Sequence, residues 1–213
     1  YLTRVFLPML ARLGWHARLE IEKWGWYPIG GGIVKGEIAG KPKGHALSLT
    51  ERGALKRVSG LAAVSNLPLH IAERERAAAL ALLRAQKLDA QIEVVNANAT
   101  GQGTGIFLFA EYGNTLAGFS SLGARGIRAE RVGEECAREF LEFHTSNAAV
   151  DAHLADQLML PLAFAEGTSE FTAARVTQHL LTNAWVVEQF GAARVEVHEG
   201  RVTVTPRRTT ADR

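Results

Sequence analysis

A short run, AGKPKG at residues 39–44, falls where the periodicity of the sequence changes, so the chain cannot be folded as one uniform repeat. Before it, a helix is expected from Leu2 to Leu13, ended by Gly14. In HARLEIE the residues Ala17, Leu19 and Ile21 alternate with Arg18, Glu20 and Glu22, which predicts a half-buried strand. WGWYPIGGGIVKGEI then turns through Pro28 and Gly30, Gly31 and Gly32 into a second strand. From Ala46 to about Thr145 the pattern is different. Two strands (ALSLTERG and LKRVSGLAAV) lead to a charged helix (LHIAERERAAALALLRAQ), three further strands (QIEVVNAN, GIFLFAEY, LAGFSSLG), and a helix, AERVGEECAREFLEF, with Val132, Cys136 and Phe140 on one stripe. The tail resumes the first style. It has a helix from about Ala148 to Ala165, a strand SEFTAARV, the segment QHLLTNAWVVEQFG, and a hairpin turning at Glu199 and Gly200. PRRTTADR is expected to be loose. The fold class is therefore α+β: a large domain holding residues 1–43 and 146–213, interrupted by a small inserted α+β domain at residues 44–145.

The composition, 47% hydrophobic and 22% charged over 213 residues, is that of a globular protein with a sizeable core. A net charge of +2 argues against a broad clamp on a nucleic-acid backbone and leaves room for local contact with a nucleic-acid end. The single cysteine, Cys136, has no partner within the chain, which favours a reducing, cytoplasmic compartment. No apolar run approaches the length of a membrane span, and the opening YLTRVFLPMLARLG is broken by Arg4, Pro8 and Arg12, so neither anchor nor signal peptide is expected there. The first residue is Tyr1, inside an element, so an N-terminal portion is expected to be missing.

Two segments place polar groups beside apolar stripes. In VDAHLADQLMLPLAFAEG the stripe is Val150, Leu154, Leu158 and Pro161. His153 and Gln157 lie one turn apart beside it, with Asp156 adjoining. Pro161 lacks an N–H and so leaves the Gln157 carbonyl without its helical donor, predicting a kinked helix that presents imidazole, carboxylate and amide to one side. Such a face can hold a nucleotide or a metal-bound phosphate. Alternatively, these groups bond to neighbouring elements or water. In the second segment Thr177 is the expected N-cap, His179 sits in the first helical turn, and Leu180, Ala184 and Val187 form the buried stripe. A helix N-terminus disfavours positive charge and accommodates phosphate, so the position suits an imidazole acting as a nucleophile on phosphorus. It equally suits one satisfied by a backbone carbonyl. The glycine run is read as a turn, Trp24, Trp26 and Tyr27 as packing residues, and GARGIRAER as a solvated turn. Pairs of CxxC, HExxH, GxSxG and Walker motifs do not occur, which removes the common zinc, hydrolase and P-loop classes.

Together WGWYPIGGG, HLADQLMLPLAFA and HLLTNAWVVEQF resemble the RNA 3'-terminal phosphate cyclases, with weaker similarity in GNTLAGFSSLGARGIRAERVG. The resemblance implies a large domain of repeated β-α-β-α-β-β units and an inserted domain of thioredoxin-like topology. It implies that His179 becomes adenylated and that His153, Leu154, Ala155, Asp156 and Gln157 line an ATP site. It also implies ATP, a divalent cation (Mg2+ or Mn2+) and RNA ending in a 3'-phosphate as cofactors and partners, with a 2',3'-cyclic phosphate as product. Asp156 is the candidate for orienting the nucleotide or a metal-bound water. Further nucleotide contacts and an acidic metal ligand are expected in the portion preceding Tyr1. Many relatives have an arginine just before the three glycines; this chain has Ile29. Two other readings are weighed: a non-catalytic cyclase-like protein of ribosome assembly, and a metabolic transferase of similarly repeated fold. The presence of His179 argues against the first, and HLADQ and HLLTN argue against the second.

Overall fold

The structure, a computed structural model, describes residues 1–39 and 44–207. Most of the AGKPKG run, at residues 40–43, and residues 208–213 of the tail lie outside the described residues. The fold is α+β, with several sheets.

The chain opens with a π-helical stretch, Leu2–Phe6, that runs into helix α1, Leu7–Arg12. Gly14, with φ of 86°, turns the chain into β1, His16–Lys23. β1 pairs antiparallel with β2, Ile33–Ala39. Ala17 and Leu19 are half-buried as expected but Ile21 is exposed, and the ribbon is less buried than predicted, because β1 and β2 form a two-stranded sheet and both faces stay largely open. Between the strands, Gly30 and Gly31 take φ values of 68° and 75°, which only glycine adopts cheaply, and the glycine run is a turn.

β3, Gly44–His45, pairs with β9, Ala165–Glu166, and β4, Ser48–Leu49, pairs in parallel with β10, Ser169–Thr172. Both short strands fall on the inserted side of the expected boundary at residue 44, yet their partners come from the C-terminal segment. The hairpin β11, Ala193–His198, and β12, Arg201–Pro206, completes a sheet of order β11-β12-β10-β4. Its turn is at Glu199 and Gly200, both with positive φ, as the Glu-Gly pair predicts.

Residues 55–145 build a second four-stranded sheet. β5, Leu55–Ser65, is followed by α2, His70–Ala85, and by β6, Ala90–Asn96, which lies parallel to β5. β7, Gly103–Tyr112, and β8, Leu116–Leu122, continue antiparallel in the order β6-β5-β7-β8, and α3, Ala129–Thr145, closes the unit. α2 and α3 pack closely because Gly133 has no side chain: a Cβ there would lie 2.0 Å from the Glu75 carbonyl oxygen. The predicted stripe Val132, Cys136 and Phe140 is buried in this core.

Strand β7 serves two cores at once. Ile106, Leu108, Ala110 and Tyr112 point into the core under α2 and α3, while Phe109, with Phe107 packed beside it, joins the core of Val5, Met9, Leu154 and Phe171. The period-2 alternation of a strand divides its side chains between the faces of the sheet, and here each face is covered by a different body. Trp26 also lies against Gly103, where a Cβ would come within 2.0 Å of the indole.

Candidate functional site

Thr177 caps α6, Gln178–Gln189, its side chain accepting a hydrogen bond from the Leu180 N–H. Leu180, Ala184 and Val187 form the buried stripe, which rotates His179, in the first turn, to the exposed side. One turn further along, Asn183 Nδ2 donates to the Asp156 carbonyl at 3.2 Å. That bond ties the helix bearing His179 to the helix bearing His153.

The expected single helix from Ala148 is two short ones, α4, Ala152–Gln157, and α5, Met159–Ala163, broken at Leu158. The missing N–H of Pro161 accounts for the break at this point. The start is later than expected because Ala149 and Val150 are tied in extended form to Thr172 and Ala173, and Asp151 then acts as the cap. Asp151 Oδ1 accepts from the N–H groups of His153 and Leu154, both at 2.9 Å. It also accepts from the Tyr1 hydroxyl at 3.1 Å, while Oδ2 accepts from the Gly118 N–H at 3.3 Å. Burial raises the carboxyl's pKa and these bonds oppose that shift. One side chain thereby joins α4, the start of the chain and β8.

The side chains of this segment divide by face. His153 is exposed and edge-on to the Tyr1 ring, with centroids 6.1 Å apart. Asp156 is partly exposed. Leu154 and Ala155 are fully buried core residues, so their side chains present no surface to a ligand. Gln157 is partly buried, and its Oε1 has no hydrogen-bond partner.

His153, Asp156 and His179 meet in a cleft of about 270 Å³. Asp151, Ala152, Ala174, Arg175 and Thr177 line it from the same side. Phe119, Glu139, Glu142 and Phe143 line it from the β8 and α3 side. Leu154, Ala155 and Gln157 do not line it, nor do the tryptophans, the glycine run or the GARGIRAER segment. Glu139 has its pKa raised by burial, opposed by the nearby charges of His153 and Arg175. Arg175 reaches Glu142 Oε2 at 3.3 Å across the cleft. Among the described residues no three His, Cys, Asp or Glu side chains are grouped to hold a metal ion.

Sequence patterns missed Asp151, Arg175, Glu139 and Glu142. Asp151 carried a usable signal, as an N-cap residue two positions before His153. The others come from separate elements and carried none.

Residues 1–197 match the family RTC: RNA 3'-terminal phosphate cyclase. The chain belongs to this family. It is 48% identical over 198 residues to an RNA 3'-terminal phosphate cyclase of Methylococcus capsulatus, covering 92% of this chain and 55% of the relative. Identity to the protein of the same name from Nostoc punctiforme is 42% over 211 residues, covering 99% of this chain and 61% of the relative. A cyclase from the archaeon Thermococcus onnurineus is 41% identical over 204 residues, 95% of this chain and 59% of the relative. The chain thus spans about three fifths of the length of these curated cyclases. No helix of the described residues is long and apolar enough to cross a membrane.

Proposed function

We propose that the protein converts an RNA 3'-terminal phosphate to a 2',3'-cyclic phosphodiester at the expense of ATP, with His179 as the covalent nucleophile. Family membership supports the reaction class, and the gathering of His179, His153 and Asp156 in one cleft is the observation that carries the assignment of the site.

In this reading a ring nitrogen of His179 attacks the α-phosphorus of ATP, the bond to the bridging oxygen breaks, and pyrophosphate leaves. A terminal phosphate oxygen of the RNA then displaces histidine from phosphorus, taking AMP. The neighbouring 2'-hydroxyl attacks the RNA phosphorus, loses its proton, and expels AMP. The sequence is chemically sensible because a phosphate monoester has no good leaving group until it is adenylated. At the mouth of α6 the free N–H groups of the first turn favour a phosphoryl group attached to His179.

The residues present suit the two implied cofactors. Gln157 Oε1 is a buried acceptor without a donor that lies off the cleft wall, so an amino group of a bound nucleotide would reach it only once the side chain turns toward the cleft. A magnesium-type cation is commonly held by one or two carboxylates together with substrate phosphates, and Asp156, the carboxylate on this wall that is not engaged as a helix cap, fits that mode. Such a cation would offset the negative charge at the reacting phosphates. We place the protein in the cytoplasm on the ground that its single cysteine, Cys136, is buried and unpaired. The order of β5 to α3 agrees with a thioredoxin-like insert, and we assign residues 1–54 and 146–213 to the large domain.

Purified protein given α-labelled ATP and Mg2+ or Mn2+ is expected to acquire label that survives denaturation and is acid-labile but alkali-stable, as a phosphoramidate is. His179→Asn keeps polarity and similar bulk without a nucleophilic ring nitrogen, and is expected to lose the label while melting like the wild type. Retained label in folded His179→Asn overturns the assignment.

A further inference from the structure

The cleft has an unusual charge balance for a site that must admit polyanions. Of the described residues lining it, four are carboxylic acids, Glu139, Glu142, Asp151 and Asp156, and Arg175 is the one lysine or arginine. Asp151 is buried and fully engaged as a cap and bridge. The guanidinium of Arg175 is therefore the one fixed cation in the cleft that an entering phosphate can meet.

Its present partner is easily exchanged. Arg175 Nη2 touches Glu142 Oε2 at 3.3 Å through a single contact, and both side chains are about two-thirds exposed, at 66% and 68%. Exposed single-contact pairs of this kind hold weakly, because water competes for both partners. A phosphate monoester offers up to three oxygens to the guanidinium fork and is bound bidentately, which a point cation cannot match. Arg175 is also well placed in the chain: it lies on the segment entering α6, four residues before His179 and two before the Thr177 cap. Glu142 comes from the opposite wall, on α3.

We propose that Arg175 is a specificity residue that receives the RNA terminal phosphate, Glu142 holding it in the cleft until the RNA displaces the carboxylate. The proposal rests on the cyclase reading for the identity of the ligand. On this view the inserted unit takes part in substrate selection: its glutamate keeps the guanidinium from binding weak anions, and a terminal phosphate dianion outcompetes it.

The test is fluorescence anisotropy with short single-stranded RNAs, identical but for a 3'-phosphate or a 3'-hydroxyl, titrated with the 213-residue chain. The wild type is expected to prefer the 3'-phosphate by on the order of tenfold, the difference made by one charge-assisted bidentate contact. Arg175→Gln is expected to bring the two affinities within about twofold of each other, and Arg175→Lys to keep part of the preference, because an ammonium retains charge but not the fork. Glu142→Gln is expected to widen the preference. A merely structural role for Arg175 would move both RNAs together and lower the melting temperature. A preference unchanged in Arg175→Gln, or absent from the wild type, overturns the proposal. Labelling of the wild type by ATP reads His179 alone, so its failure would remove the adenylation chemistry while leaving the binding preference, and its origin in Arg175, intact.

Discussion

Gln157 shows how a buried polar atom separates two roles that a sequence leaves mixed. An amide there either braces the fold or waits for a ligand, and its partners decide between them. Its Oε1 is buried without a donor, so in the free protein this oxygen contributes desolvation cost and no bond. Gln157→Ala is accordingly expected to leave thermal stability unchanged within about 0.5 kcal/mol or slightly raised, while ATP binding, followed by calorimetry, weakens by about 0.5–1.5 kcal/mol. A large loss of stability with unchanged ATP affinity would return the residue to a structural role. Asp151 is the opposite case, with hydrogen bonds that reach Tyr1, Gly118, His153 and Leu154. Its cap position could be read from the sequence. Its ties to Tyr1 and Gly118, 150 and 33 residues away, could not, since they depend on how distant elements pack.

At the scale of elements, periodicity revealed α3, α6 and the terminal hairpin, because each has a buried stripe or alternation, and α6 and the hairpin add a chemical signal at a helix start or a turn. In α6 that signal is Thr177, and it set His179 in the first turn. The pattern was less informative where a partner strand, rather than the local sequence, decides the structure. ALSLTERG yields only Ser48–Leu49, paired with Glu170 and Phe171, and SEFTAARV only Ser169–Thr172, which stops where β12 begins at Arg201. α2 hides another exception. Among its many charges Glu75 is wholly buried between α2 and β7, with Oε1 2.8 Å from Thr104 Oγ1, which itself donates to the Ala63 carbonyl at 3.0 Å. Burial raises its pKa to about 7, against a smaller opposing effect of the Thr104 bond. Thr104 Oγ1 is within reach of both the Glu75 carboxyl and the Ala63 carbonyl, and its single proton serves one of them at a time. The folded state then binds the proton more tightly than the unfolded chain. Its stabilising effect is complete below the ordinary pKa of 4.5 and is lost as pH rises through about 7. From about pH 5 to pH 8 this group is expected to cost roughly 1–3 kcal/mol of stability, with allowance for residual solvent access. Urea melts at the two pH values should show a smaller decline in Glu75→Gln than in the wild type, and equal declines would refute the assignment.

For the whole molecule, the question is whether residues 55–145 are a detachable unit. The change of periodicity near AGKPKG suggests that the block from about Ala46 to Thr145 is one, and both segments proposed for the ATP site lie outside it, so removal would be expected to spare nucleotide binding. The packing argues the reverse. Phe109 of β7 is buried among Val5, Met9 and Leu154, the Gly118 N–H bonds to Asp151, and Arg52 caps the C-terminal end of α3 through the Phe143 and His144 carbonyls. A buried phenylalanine contributes on the order of 3–5 kcal/mol by the cost of its removal, and an unsatisfied buried carboxylate adds to that loss. The cleft would also lose the wall formed by Phe119, Glu139, Glu142 and Phe143. Replacing residues 55–145 with a short glycine-serine linker is therefore expected to lower the melting temperature, raise the binding of an apolar dye, and weaken ATP binding together with the fold. A shortened chain that melts as the wild type does and binds ATP within twofold of it would show that the shared faces of β7 and β8 are dispensable, and that the two bodies are independent in energy as well as in sequence pattern.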